Sequence, residues 1–270
     1  MSASSEALAL DESGSGAPLV LIHGLGTNRA IWDEATALLA HDHRVIAIDL
    51  PGFGDSDPIG RGFDLDEVAL RLAEAVEGRI EGGYDLLGHS LGGAIALILA
   101  VRRRESVRRL ILSAPAGFRP RSRPVAEAVA AGAPAVLRAR RVIGGPLAGS
   151  ARARRGLLWG ALHDGARISR ERARAMLEAS SEARRLRAAT RAALTADLSE
   201  RLAEVQVPVG LIWGARDPLM RAETTDEIRR CRPEAPVEVV HGAGHVAQLE
   251  RPEAFARAVE TVLARLVTVS

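Results

Sequence analysis

The sequence predicts an α/β protein: a mostly parallel central sheet with helices on both faces and an inserted set of helices. Three observations carry this. Short continuous aliphatic runs recur along the chain, namely LVLI at 19–22, VIAI at 45–48, LILS at 110–113 and VGLIW at 209–213, as expected of strands buried on both faces. Stretches of helical periodicity separate them, with crossovers long enough to return each strand parallel to the last. The alternation stops at Arg119 and resumes at Val207.

Taken in order, the expected strands are Ala7–Leu10, Pro18–Ile22, Arg44–Ile48, Tyr84–Leu87, Val107–Ser113, Val207–Trp213 and Val237–Val240. The expected helices are Arg29–Ala40, Leu65–Ile80, Gly92–Arg103, Arg221–Arg230 and Glu253–Leu266. The stretch from Arg119 to Glu200 is rich in alanine and arginine, is broken by Pro134, Gly144-Gly145-Pro146 and Gly160, and contains no convincing strand. A helical insertion over the carboxyl edge of the sheet accounts for it better than a long structureless loop, which compact domains rarely contain.

Composition excludes several chemistries. All 36 basic residues are arginine, so there is no phosphate-loop lysine, no kinase strand lysine and no Schiff-base lysine. Arginine keeps its proton and cannot serve as a general base. Cys231 is the single cysteine, which excludes an internal disulfide. Residues 1–16 lack the basic and apolar regions of a signal peptide, and the longest apolar run, Ala94–Val101, falls short of the roughly 20 residues that span a bilayer; a cytoplasmic location is the expectation. Charge is unevenly placed. Residues 119–200 carry 17 arginines against 7 acidic residues, a balance of +10 in a chain whose net charge is +2, which leaves −8 elsewhere. This reads first as a solvated arginine-rich surface and second as a face for an anionic partner. With aromatics at 3%, stacking platforms for nucleic acid are lacking.

The chemistry-bearing residues lie at expected strand ends. Gly88-His89-Ser90-Leu91-Gly92 joins an aliphatic strand to the apolar helix beginning AIALILA. This is a G-x-S-x-G elbow, whose glycines permit a tight turn that projects the Ser90 hydroxyl above the sheet. A serine needs a base, and a histidine base needs an orienting acid. Asp217 follows the strand ending at Trp213, and His245 follows the one ending at Val240. His241, at the strand end itself, reads as a wall residue, and strand alternation is expected to turn His89 away from the serine. Asp85 opens its strand at the opposite edge, and His41 and His43 read as a turn rather than a metal pair. A developing oxyanion requires backbone donors; the expected pair is the N–H groups of Leu91 and of Leu25, in the loop His23-Gly24-Leu25-Gly26. His23 is expected to shape that loop. One competing reading is a dinucleotide fingerprint in Gly24-Leu25-Gly26-Thr27-Asn28-Arg29 with Asp49 as the ribose acid. Arg29 stands where the third glycine should be, which weakens it.

Four segments, LVLIHGLG at 19–26, DLPGFGDS at 49–56, LLGHSLGG at 86–93 and GAGHVAQLERP at 242–252, the last preceded by LIWGARDP at 211–218, resemble the α/β-hydrolase superfamily in order and over nearly the whole chain. The resemblance implies a core of residues 1–118 and 201–270 with a helical cap at 119–200. It implies hydrolysis without cofactor or metal: Ser90 as nucleophile, His245 as base, Asp217 as orienter, and Leu25 and Leu91 as oxyanion donors. HGLG in the first loop looks like the branch that holds esterases, lactonases, thioesterases, carbon–carbon bond hydrolases and perhydrolases. The expected substrate is a small ester or thioester, with an acidic carrier protein as a possible partner of the basic cap. Trp159 and Met176 are the cap candidates for lining a pocket.

Overall fold

The structure is a computed structural model and describes residues 7–118, 120–220 and 222–266. Seven strands, β1 (Leu10–Ser13), β2 (Ala17–Ile22), β3 (His43–Ile48), β4 (Tyr84–His89), β5 (Val107–Ser113), β6 (Val209–Gly214) and β7 (Val237–Val240), form one sheet in the order β1-β3-β2-β4-β5-β6-β7. Only β1 is antiparallel to its neighbour.

Side-chain alternation divides the core in two. Val20, Ile22, Ile46, Ile48, Leu110 and Leu112 face one layer, where α2 (Leu65–Glu77), α3 (Leu91–Arg102), α8 (Ser199–Glu204) and α9 (Ala222–Cys231) pack. Leu19, Leu21, Val45, Ala47 and Ile111 face the other, against α1 (Asp33–Leu39), α10 (Ala247–Glu250) and α11 (Pro252–Arg265). The aliphatic residues of β2, β3 and β5 are therefore buried on one face or the other, which is why these strands read as continuous runs. Trp32 and Phe255, both fully buried, meet at 5.9 Å beneath the sheet's carboxyl edge.

Between β5 and β6 lie α4 (Arg123–Leu147), α5 (Ala151–Leu157), α6 (Arg170–Glu182), α7 (Leu186–Thr195) and α8. The breaks expected at Pro134 and at Gly144-Gly145-Pro146 do not occur, since α4 runs 25 residues through them. Packing against α6 and α7 overrides local propensity here. Gly144 is a contact point rather than a breaker, because a Cβ there would lie 2.8 Å from Leu157 Cδ2.

At the amino-terminal edge, the strand expected at Ala7–Leu10 is displaced to Leu10–Ser13, with Leu10 opposite Ile48. Its residues Asp11, Glu12 and Ser13 are exposed, so an edge strand with a solvated surface escapes a search for apolar runs. The expected helix at 29–40 is a 3-10 turn over Arg29–Trp32 followed by α1. The remaining ends move by three residues or fewer. The expected boundaries at Arg119 and Arg221, and residues 1–6 and 267–270, lie outside the described residues.

Candidate active site

Ser90 sits between β4 and α3 at φ 54° and ψ −118°, a left-handed conformation that costs a non-glycine residue about 1–3 kcal/mol. The turn holds because its backbone is tied down: Ser90 N–H donates to Ser113 O at 2.9 Å, and Ser90 O accepts from Gly93 N and Ala116 N at 2.9 and 3.0 Å. The flanking glycines are required sterically. A Cβ on Gly88 would lie 2.3 Å from Gly92 O, and one on Gly92 would lie 2.4 Å from the carbonyls of both Ile22 and His23. The Ser90 hydroxyl makes no hydrogen bond to another described residue and lines a cavity of about 940 Å³.

His245 lines the same cavity. Its Nδ1 lies 2.7 Å from Asp217 Oδ2. An ionised carboxylate only accepts, so Nδ1 carries the proton and Nε2 keeps its lone pair. The Asp217 carboxylate is 1% exposed, and its Oδ1 accepts from the N–H groups of Leu219 and Met220 at 2.8 and 2.9 Å. Those amides satisfy the charge and fix its position.

The His23–Gly26 loop lies against the serine, since a Cβ on Gly24 would come within 3.1 Å of Ser90 Cβ. His23, fully buried, supports the loop from below. Leu50 N–H donates to its Nε2 at 2.9 Å, which leaves the Nδ1 proton for Gly24 O at 2.8 Å. Burial holds the His23 imidazole below its ordinary value of 6.5. Leu25 lines the cavity, Leu91 opens α3, and neither amide donates a hydrogen bond among the described residues. Ser180 Oγ on α6 donates to Gly26 O at 2.5 Å, joining the inserted helices to this loop.

Two histidines are placed differently from expectation. His89 shares a face with Leu87, as alternation requires, but that is the face from which His245 enters. The two rings lie 4.7 Å apart, and Trp32 meets His89 edge-on at 6.4 Å. Burial, then the neighbouring His245, holds His89 well below 6.5. His241 is not a cavity wall: it is exposed, because Gly242 at φ 71° turns the chain away beyond β7. His41 is exposed beside Asp42, His43 pairs with Glu260 at 3.0 Å, and the Asp85 carboxylate is held by Arg109 at 2.6 and 2.9 Å. Among the described residues no cluster of three or more His, Cys, Asp or Glu side chains could hold a metal. The nucleotide reading fails on Asp49. Its carboxylate is buried, bound by Arg29 N–H at 2.7 Å, by the Arg29 guanidinium and by Asp55 N–H at 2.9 Å, which leaves nothing for a ribose.

Trp159 and Met176 both line the cavity, Trp159 at 75% exposure. Glu250, which the sequence reading passed over, is 5% exposed and accepts from Gly244 N at 2.7 Å, His163 N at 3.0 Å and Asp164 N at 2.5 Å. It fastens the loop carrying His245 to the inserted segment. An acid directly after the apolar Leu249 and two residues before the helix-opening Pro252 was the signal available. Arg140, also overlooked, lines the cavity from α4.

The Alpha/beta hydrolase family model matches residues 19–258. The chain is 32% identical over 248 residues to a pimeloyl-[acyl-carrier protein] methyl ester esterase of Neisseria meningitidis serogroup C, covering 87% of this chain and 89% of that one. It is 44% identical over 115 residues to a 2-hydroxymuconate semialdehyde hydrolase of Pseudomonas sp. strain CF600, covering 40% of each. A solved thermophilic esterase from Thermogutta terrifontis superposes with a TM-score of 0.77 at 25% identity, over 97% of this chain and 94% of that one. No helix among the described residues is long and apolar enough to cross a membrane. With the fold, the elbow and a match over most of its length in agreement, the chain belongs to the alpha/beta hydrolase family.

Proposed function

We propose that the protein is a serine hydrolase of carboxylic esters that works through an acyl-enzyme on Ser90, beneath a helical cap formed by 119–200. One observation carries the reading: Ser90 on its strained elbow and His245, fixed by Asp217 at 2.7 Å, line one cavity. Ser90 Oγ attacks the ester carbonyl carbon while His245 Nε2 takes its proton, and Asp217 stabilises the imidazolium. The oxyanion is received by the N–H groups of Leu25 and Leu91. Each such donor contributes about 2.7–4 kcal/mol. The carbon–oxygen bond then breaks and the alcohol leaves with the proton from His245. Water attacks the acyl group, again giving its proton to His245, which returns it to Ser90 Oγ as the acid departs. The apolar cavity suits an acyl chain.

A fluorophosphonate probe is expected to label the wild type and not Ser90→Ala; equal labelling of both would overturn the nucleophile assignment. Turnover of a nitrophenyl ester is expected to fall on the order of 10⁶-fold in Ser90→Ala and His245→Ala, and about 10⁴-fold in Asp217→Asn, because the three groups act as a unit.

A second reading, a carrier-borne ester or thioester, is favoured by the cavity mouth. There Trp159 and Val136, at 75% and 57% exposure, line the opening on a segment with a surplus of ten positive charges, and Leu219, at 57%, faces them from the loop after β6. The carrier named for the Neisseria relative is consistent with it. An acidic acyl carrier docked there would give a kcat/KM that falls as salt rises toward physiological strength. A rate on carrier-bound ester unaffected by salt would overturn it.

A further inference from the structure

Most of the arginines of the inserted helices are solvated or paired. Arg155 meets Asp164, Arg172 meets Glu34, Arg191 meets Glu127, and Arg174 donates to Gly145 O. Arg140 differs. It is half-buried, its guanidinium makes no hydrogen bond or ion pair to any described residue, and burial alone holds its pKa below the ordinary arginine value. It continues the stripe of α4 that faces the cavity, Val129, Ala133 and Val136 preceding it at helical spacing. Arg121, exposed, adds a second guanidinium to the lining. No described lining residue is acidic.

A partly desolvated guanidinium with no protein partner is costly unless something supplies the missing acceptor. In a cavity that also holds the candidate nucleophile, that acceptor can come with the substrate. An apolar wall would be better built from leucine or methionine, and a solubilising arginine would project into water. The planar fork of arginine matches two oxygens of an anion and little else.

We propose that Arg140 is an anion-binding subsite of the cavity: it anchors an oxyanion carried by the substrate, either a carboxylate at the far end of the acyl chain or a phosphate on a pantetheine leaving group. This rests on the ester-hydrolase reading and sets its substrate class. Arg140 gives two hydrogen bonds to the anion while the chain that joins the anion to the scissile carbonyl, acyl or pantetheine, lies along the Val129–Val136 face toward Ser90. No bond to Arg140 is made or broken during hydrolysis; it is a specificity residue.

The test compares wild type, Arg140→Met and Arg140→Lys on paired substrates. One pair is the nitrophenyl half-ester of glutaric acid against nitrophenyl butyrate. The other is an acyl-phosphopantetheine thioester against the same acyl-pantetheine. The ratio of kcat/KM, anionic over neutral, is expected to fall about 10- to 100-fold in Arg140→Met for one pair, with Arg140→Lys between the two. The pair that responds identifies the source of the anion. A ratio within about twofold of wild type in both pairs would overturn the proposal, as would equal loss on neutral and anionic partners. Calorimetry of monomethyl glutarate and acyl-phosphopantetheine on the Ser90→Ala protein, with and without Arg140→Met, reads the same preference without turnover. If wild type hydrolyses nothing but its anion binding depends on Arg140, the ester-hydrolase reading fails and the anion site stands.

Discussion

Replacing Glu250 with alanine tests whether the loop carrying His245 is held by the inserted segment. The carboxylate is 5% exposed and accepts from three backbone amides, two on Oε2 and one on Oε1. Hydrogen bonds to a charged group contribute about 1.5–3 kcal/mol each, and an amide left buried without a partner costs about 1–3 kcal/mol. The three bonds share one side chain and are not additive, and the His163 and Asp164 amides are only partly buried, so water can replace part of the loss. The expected cost is about 4 kcal/mol, or roughly 10 °C in melting temperature for a chain of this size. Glu250→Gln keeps one oxygen for the Gly244 and His163 amides but turns an NH₂ group toward Asp164 N–H, and is expected to lose about half as much. Thermal unfolding measures both. Because Gly244 directly precedes His245, ester turnover measured well below the melting temperature is expected to fall at least about tenfold, with the loss in kcat rather than KM. A melting temperature within about 2 °C of wild type together with unchanged kcat would refute the argument, since it would mean that neither loop depends on the carboxylate.

Two other outcomes follow from geometry and charge. Stability is expected to fall as pH drops below about 6.5. His23 and His89 are held neutral in the folded protein below that ordinary value, so on acidification the unfolded chain takes up protons that the folded chain refuses. The stabilisation is therefore complete above pH 6.5 and is lost below it at about 1.4 kcal/mol per pH unit for each ring; urea unfolding at pH 7.5, 6.0 and 5.0 measures it, and a flat profile would show that the rings titrate normally. Gly92→Ala would push a Cβ to 2.4 Å from the carbonyls of Ile22 and His23. Because those atoms are backbone, the expected cost is about 3 kcal/mol or more in the urea midpoint, with fluorophosphonate labelling lost before the fold is.

How far the sequence could be read depended on what each residue faces. Strands such as VIAI and LILS are enclosed by helices on both sides, so hydrophobicity alone locates them. The β1 strand shows water three of its four side chains and owes its existence to pairing with β3, a partner that a local window does not contain. Ser90, Asp217 and His245 were legible as candidates because strand ends are punctuated by glycine and proline, and because strand order places those ends on one edge. Glu250 and Arg140 were not, because what singles them out is the partner each holds or lacks in space. A charged residue on a helix looks the same in sequence whether it is solvated or enclosed. His89 was expected to turn away from the serine, yet it lines the same cavity, because its neighbour His245 comes from a loop more than 150 positions away. Pro134 and Gly144 were read for their effect on an isolated helix, whereas α4 is held by its neighbours.

The hydroxyl of Ser180 reaches from α6 to Gly26 O, and Glu250 reaches from the His245 loop to residues 163 and 164. The segment that shapes the cavity is thus fastened both to the loop bearing Leu25 and to the loop bearing His245. Transplanting a different set of helices onto this sheet to change what it accepts would cut both fasteners at once. Recognition and reactivity in this scaffold would have to be redesigned together.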